Sequence, residues 1–237
     1  MKFSIVITSI FENGWIERVY DQIRKEELKD QVQIFFIPDN KTPAALAKQC
    51  EKFRKVGLKI YCPTMEEQHE YLKKLNLSDF ILENSDHRRN IGYLMAYESK
   101  SEIILSMDDD NFPQSSIFLR RHMENLNGNL SGARQVESST SFYNNCMLLE
   151  DNTFIHPRGF PFGKKKNAQL SFSPLADSKV GVNAGMWTIS PDVDAISWLI
   201  INKQIMCDDV NNVVLGDNTY CPINSQNTSL KVDLLPA

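Results

Sequence analysis

The sequence predicts an α/β fold: a mostly parallel central sheet flanked by helices, then an irregular second half with short antiparallel strands. Three observations predict it. Through residues 1–126, short apolar runs alternate with stretches whose apolar residues recur at helical spacing. The runs stop at turn or helix-start signals, as at Pro38-Asp39 and Pro63-Thr64. The run Ile103-Ile104-Leu105-Ser106-Met107 stops on three consecutive carboxylates, Asp108, Asp109 and Asp110. Strand and helix in alternation imply parallel strands joined by helical crossovers.

Phe3–Thr8 (FSIVIT) reads as the first strand. Glu12, Asn13 and Gly14 form a loop, and residues 15–29 a helix striped by Trp15, Val19, Ile23 and Leu28. Residues 33–37 (QIFFI) are the second strand. Thr42 caps a helix with Pro43 at its first position, which runs to residue 55 and is stopped by Gly57. A short strand over 58–62 precedes a helix that starts at Pro63-Thr64 and reaches Leu75. Residues 76–84 are loop, with a short strand available to Phe80-Ile81-Leu82. Residues 86–97 read as a helix packed by Ile91, Leu94 and Met95; the acidic strand follows, and 115–126 is helical. From 127 to 176 the frequent Asn, Ser, Gly and Pro imply loops and short antiparallel strands. Residues 180–189 (VGVNAGMWTI) suit a strand and 192–199 a short helix, while the terminal KVDLLPA suits no closing element. No repeat or linker divides the chain, so a single domain over 1–237 is expected.

Composition narrows the class. At 42% hydrophobic and 24% charged residues the chain is ordinary for a soluble globular protein. A formal charge of −4 makes no electrostatic case for nucleic acid. No run approaches the roughly 18 apolar residues of a membrane span. The opening MKFSIVITSIF lacks a small-residue cleavage site and reads as a strand, not a leader. Five cysteines (Cys50, Cys62, Cys146, Cys207, Cys221) show no C-x-x-C spacing. They read as reduced thiols of a cytoplasmic protein.

The acidic triplet carries most of the chemistry. Carboxylates at the end of a buried strand need something positive, and open α/β sheets bind ligands at the carboxyl ends of their strands. Mn²⁺ or Mg²⁺ bridging to phosphate oxygens suits them, held by Asp108 and Asp110, with a neighbouring carboxylate on a ribose hydroxyl. The competing reading is a solvated turn capping the next helix. Arg88 and Arg89, at a helix start upstream, can clamp a diphosphate by bidentate hydrogen bonds, and a surface pair with Glu83 or Asp86 is their alternative. His87 between them and Asp86 reads as structural. Asp39, just past the second strand, sits where a nucleoside is met, and Thr8 and Ser9 line the same crevice. Arg158 lies in a shaped loop, Arg158-Gly159-Phe160-Pro161-Phe162, ahead of Lys164-Lys165-Lys166. Asp192, Asp194, Asp208, Asp209 and Asp217 are late carboxylates with no individual claim to the role of a base. No G-x-G-x-x-G follows the first strand and no G-x-x-x-x-G-K-[ST] occurs, which excludes the familiar nicotinamide and P-loop signatures.

Four segments resemble the reversibly glycosylated polypeptides, or UDP-arabinopyranose mutases, and more broadly the GT-A glycosyltransferases. They are Arg89-Asn90-Ile91-Gly92-Tyr93-Leu94-Met95, the triplet Asp108-Asp109-Asp110, the Arg158-to-Phe162 loop, and Gly185-Met186-Trp187-Thr188-Ile189-Ser190-Pro191-Asp192-Val193-Asp194-Ala195. Tyr220-Cys221-Pro222-Ile223-Asn224-Ser225-Gln226-Asn227 matches more loosely. The resemblance implies a GT-A fold with a nucleotide-binding half (1–126) and a sugar/acceptor half (127–237). It implies a UDP-sugar substrate, Mn²⁺ or Mg²⁺ at an Asp-x-Asp arrangement, and a place in polysaccharide or glycoconjugate biosynthesis. A glycan acceptor and a homo-oligomer are compatible with it. Arg158 stands where the family's self-glycosylated arginine stands, and with Asp110 it is the catalytic candidate. A guanidinium is a poor nucleophile at neutral pH, so holding the diphosphate is the easier role. Transferase, mutase and non-catalytic nucleotide-sugar-binding subunit all stay open. Members of that family continue past the equivalent of Ala237, so the resemblance implies a shortened chain, a site completed differently, or an inactive one.

Overall fold

The computed structural model describes residues 2–149, 155–165, 168–175, 178–187, 189–201 and 212–235. Its elements in chain order are β1 (Phe3–Thr8), α1 (Trp15–Lys25), β2 (Val32–Ile37), α2 (Ala44–Lys55), β3 (Ile60–Tyr61), α3 (Met65–Lys74), α4 (Arg89–Glu98), β4 (Ile103–Asp108), α5 (Phe118–Leu126), β5 (Arg134–Ser138), β6 (Leu170–Pro174), β7 (Val182–Ala184), α6 (Ala195–Ile200), β8 (Val213–Leu215) and β9 (Asn227–Lys231). The chain forms two compact units. One comprises Met1–Asn127, Gly181–Asn183 and Ser225–Ala237; the other comprises Gly128–Val180 and Ala184–Asn224.

The first unit is built on a six-stranded sheet in the order β3-β2-β1-β4-β9-β7. β3, β2, β1 and β4 run parallel, and β9 pairs antiparallel with β4. This is the mostly parallel α/β architecture that the alternating pattern predicts. β1 and β2 are buried at nearly every position because both faces of the sheet are covered. Successive residues of a strand face opposite sides. Phe35 and Ile37 therefore join the cluster with Ile91 and Ala96 of α4, while Phe36 meets Trp15 of α1, ring centroids 5.1 Å apart. Gly92 sets how closely α4 lies on the sheet. A Cβ there would come 2.5 Å from Val6 Cγ1 and 3.2 Å from Ile37 Cγ1. Without one, the helix settles onto β1 and β2 and carries its first turn to the strand ends.

The second unit holds the three-stranded sheet β6-β5-β8, with β6 antiparallel and β8 parallel to β5. Short antiparallel pairing in this half was expected.

Several boundaries differ from expectation. α1 stops at Lys25, four residues early. Glu27 takes φ 57° beyond the end, and the amides of Glu27 and Leu28 bond back to Arg24 O and Ile23 O. α2 starts at Ala44 with Pro43 in the cap position. The Thr42 hydroxyl caps nothing; it donates to Ser9 O at 2.7 Å and accepts from Asp39 N at 2.8 Å. Residues 80–82 form no strand, with Phe80 and Leu82 exposed and only Ile81 buried. The strand expected over 180–189 shrinks to β7, and the helix expected at 192 begins at Ala195 because Asp194 caps it. The closing strand β9 was not foreseen. Its sequence, NTSLK, has one apolar residue, so no hydrophobic pattern marks it. Among the described residues no helix is long and apolar enough to cross a membrane.

Candidate functional site

The strand register assembles the site. Thr8 pairs with Ile37 on one side and Asp108 on the other, so β2, β1 and β4 end on one line. The chain leaving each strand passes the same edge: Asp39 after β2, Ser9 and Phe11 after β1, Asp109 and Asp110 after β4. The first turn of α4 arrives there because Gly92 allows it. The result is a cleft of about 310 Å³ lined by Thr8, Ser9, Asp39, Arg88, Arg89 and Asp108, with Asp109, Phe11 and Lys41 at its sides.

The two arginines have different partners. Arg89 is buried, and one Nη bonds the Asp108 carboxylate and Thr8 Oγ1, the latter at 3.2 Å. Its other Nη donates to Ser225 O at 2.9 Å, and Ser225 O also accepts from Ser106 Oγ at 2.6 Å. Arg89 therefore neutralises the first carboxylate of the triplet, where the sequence reading had it clamping a diphosphate. Arg88 is 1% exposed and has no carboxylate in ion-pair contact among the described residues. Its Nη donates to Gln68 Oε1, and Gln68 in turn donates to Pro38 O and Pro63 O at 2.9 and 3.1 Å. Burial pulls the Arg88 pKa below its ordinary value, while Asp39 and Glu83 favour its charge from a distance. The Nε atoms of both arginines are buried without a hydrogen-bond partner among the described residues. Buried guanidinium donors left unpaired beside a cleft suit an anion.

The carboxylates graduate in exposure. Asp108 is partly buried in the Arg89 pair. Asp109 accepts from Ser9 Oγ, and its backbone oxygen accepts from Asn13 Nδ2 at 2.9 Å. Burial raises the Asp109 pKa, and Asp110 and Asp108 add to the effect. Asp110 is exposed, its Oδ1 accepting from Asn111 Nδ2 at 3.0 Å. No group of three His, Cys, Asp or Glu side chains that could enclose a metal occurs among the described residues. The hard oxygen donors do suit Mg²⁺ or Mn²⁺ in an open site, where one or two carboxylates hold the ion and substrate phosphates complete the shell.

Of the residues singled out in the sequence, the fold brings Thr8, Asp39, Arg88, Arg89, Asp108 and Asp109 into one cleft, with Asp110 next in the chain. Asp39 holds its own loop, its Oδ1 accepting from Asn40 N at 2.8 Å. His87 is exposed, and Glu83 binds Asn40 and His69, not the arginines. Arg158 lies in the second unit, its Nη2 2.5 Å from the buried carboxylate of Asp192. Asp194 caps α6 and pairs with Lys165 at 2.7 Å, and Asp217 is exposed. Asp208 and Asp209 fall outside the described residues. Sequence reading missed Gln68, although a polar residue heading the stripe Gln68, Tyr71, Leu72 of α3 is a visible signal. It also missed Ser225, whose backbone oxygen carries no sequence signature.

No family model matches the chain, and no curated protein is similar to it. Among solved structures it is similar to residues 1–349 of TarS from S. aureus in complex with UDP-GlcNAc, at 17% identity and a TM-score of 0.40, over 57% of this chain and 33% of that one. Without that ligand, TarS 1–349 matches at 13% identity and a TM-score of 0.39, over 87% of this chain and 47% of that one. The mannosyltransferase PcManGT from Pyrobaculum calidifontis, in complex with GDP-Man and Mn²⁺, matches at 15% identity and a TM-score of 0.36, over 56% of this chain and 34% of that one. The chain thus spans less than half the length of these proteins. None of them is named as a reversibly glycosylated polypeptide.

Proposed function

We propose that the chain is a GT-A-type glycosyltransferase that takes a UDP-sugar in the cleft at the ends of β2, β1 and β4. The observation that supports this reading is the shared line of strand ends, which gathers an acid triplet and a buried arginine with no ion-pair contact among the described residues around one opening. Asp39 meets the nucleoside and Arg88 the diphosphate. Arg89 fixes Asp108 and supplies no grip of its own. Asp108 and Asp110 would hold Mn²⁺ or Mg²⁺, which when bound would neutralise charge on the diphosphate leaving group. Thr8 and Ser9 hold the acid residues in place through Arg89 and Asp109. Arg158, the catalytic candidate that the family resemblance implies, lies in the second unit, its side chain 70% exposed beyond the Asp192 pair.

Titration calorimetry with UDP, with and without Mn²⁺, tests the site. Asp110→Ala, at an exposed position, removes the metal-dependent part of binding, a loss of about tenfold or more in affinity. Unchanged affinity rejects the metal assignment. Turnover assays then separate the remaining readings. A requirement for an acceptor hydroxyl supports transfer, acceptor-free interconversion of UDP-pyranose and UDP-furanose indicates a mutase, and UDP binding with neither indicates a non-catalytic subunit.

A further inference from the structure

Two cysteines of the first unit meet in a crossover that the cleft chemistry does not use. Cys50 lies on α2 and is fully buried; Cys62 lies just past β3 and is partly exposed. β2 and β3 are parallel, so α2, which joins them, runs back against both. Arg54 Nε of α2 donates to Ile60 O of β3 at 3.0 Å, which fixes how helix and strand lie alongside each other. From that bond Cys50 is four residues back along the helix, about 6 Å. Cys62 is two residues on along the strand, about 6.6 Å in the same direction. Residues 50 and 54 share a face of the helix, and 60 and 62 share a face of the strand. The register therefore brings the two thiols together, and their side chains are hydrogen-bonded to each other.

The two sulfurs are not equivalent. The Cys50 S–H donates to Cys62, and this bond lowers the Cys62 pKa; burial opposes it, the Arg54 guanidinium adds to the lowering, and Glu67 and Glu51 resist it. The same bond and burial raise the Cys50 pKa. Cys62 is thus the thiol that ionises first, and it is the one that solvent reaches. Burial pushes Cys146 and Cys221 up to about 12 and about 11, which keeps both protonated at neutral pH. An accessible thiolate with a second thiol in contact oxidises to a disulfide by way of a sulfenic acid. We infer that Cys50 and Cys62 form a reversible redox modification site whose oxidant is a hydroperoxide. The Cys62 sulfur attacks the outer oxygen of ROOH, the O–O bond breaks, and RO⁻ leaves as ROH with a proton from water. Cys62 is then a sulfenic acid, oxidised by two electrons. The Cys50 sulfur attacks the Cys62 sulfur, the S–O bond breaks, and the hydroxyl departs as water with the Cys50 proton. A dithiol reverses the product by exchange and becomes the disulfide itself. The inference stands apart from the nucleotide-sugar reading and needs neither nucleotide nor metal.

Peptide mapping provides a direct test. The full chain, reduced and native, is treated with equimolar hydrogen peroxide, blocked with N-ethylmaleimide and digested with trypsin. The expected product is a disulfide joining the tryptic peptides 49–52 and 60–73, which dithiothreitol removes. Cys50→Ser leaves no thiol to resolve the sulfenic acid, so dimedone labels Cys62 about fivefold more than in the wild type. Cys62→Ser slows the loss of the Cys50 thiol to peroxide about tenfold. An unchanged melting temperature verifies the fold of each variant, and the wild-type map decides the matter where a variant does not fold. The inference is overturned if peroxide oxidises other cysteines while both peptides remain fully alkylated, or if Cys62 is recovered bonded to Cys146, Cys207, Cys221 or the Cys62 of a second copy. It is equally overturned if Cys62→Ser loses the Cys50 thiol as fast as the wild type does.

Discussion

Adjacent arginines can have opposite functions, because helical geometry points consecutive side chains about 100° apart. Arg89 reaches the end of β4 and is held there by Asp108, Thr8 and Ser225; Arg88 turns to Gln68 and has no contacting counterion among the described residues. The first is structural support for the acid triplet and the second is the anion ligand of the proposed site. Removing one member of a buried pair leaves the other charge stranded, which costs more than the pair is worth. Arg89→Met is expected to lower unfolding stability by about 3 kcal/mol in urea denaturation. Adding Asp108→Asn to it should recover most of that loss. A double variant no more stable than the single one would show that Asp108 does not depend on Arg89.

At the level of elements, the helix ends show one device written in different residues. After α2, Gly57 at φ 90° lets the amides of Gly57 and Leu58 return to Arg54 O and Phe53 O. After α1 the same two bonds form with Glu27 in the left-handed position, and after α3 with Asn76. Glycine announces such a stop in a sequence and glutamate does not, which is why the end of α2 was legible and that of α1 was not. Leu28 still belongs to the core, because the motif folds it back onto the helix. Glu26, the cap residue of α1, has a second task. Its buried carboxylate accepts from Leu119 N at 2.9 Å and Arg120 N at 2.7 Å, capping α5, which has no side-chain cap from its own N-cap residue. Glu26→Ala leaves the buried amide of Leu119 and the half-buried amide of Arg120 without these partners and should cost about 2 kcal/mol. Hydrogen exchange should show the first turn of α5 losing protection before the rest of the unit; equal loss throughout would refute a local capping role.

For the first unit as a whole, the antiparallel extension of the sheet is held by polar contacts. His122 of α5 is fully buried, its Nε2 donating to Asn227 Oδ1 at 3.1 Å and its Nδ1 accepting from Asn183 Nδ2 at 2.9 Å, with Ser229 Oγ 2.7 Å away. These bonds tie β9 and the Asn183 segment to the helix and need a neutral ring. Burial lowers the His122 pKa from 6.5 to about 4. Because the folded value is depressed, the unfolded chain takes up a proton below pH 6.5 that the folded chain refuses. The contribution is complete above pH 6.5 and is lost as pH falls to about 4, on the order of 3 kcal/mol in all. His122→Leu should therefore flatten the fall in stability between pH 7 and pH 5 by about 2 kcal/mol relative to wild type. Parallel pH curves for the two proteins would contradict this. β9 itself stayed hidden because its buried residues, Thr228 and Ser229, are polar and become strand only through such partners. By itself the sequence determined the apolar runs of β1, β2 and β4, the helices between them and the carboxylates at a strand end, because those patterns depend on neighbours a few residues apart. Tertiary structure decided which arginine serves Asp108, how Gln68 anchors the other, and how the sheet closes. Those choices are contacts across the chain, as when Arg89 meets an oxygen 136 residues away, and no local pattern encodes a distance that only folding creates.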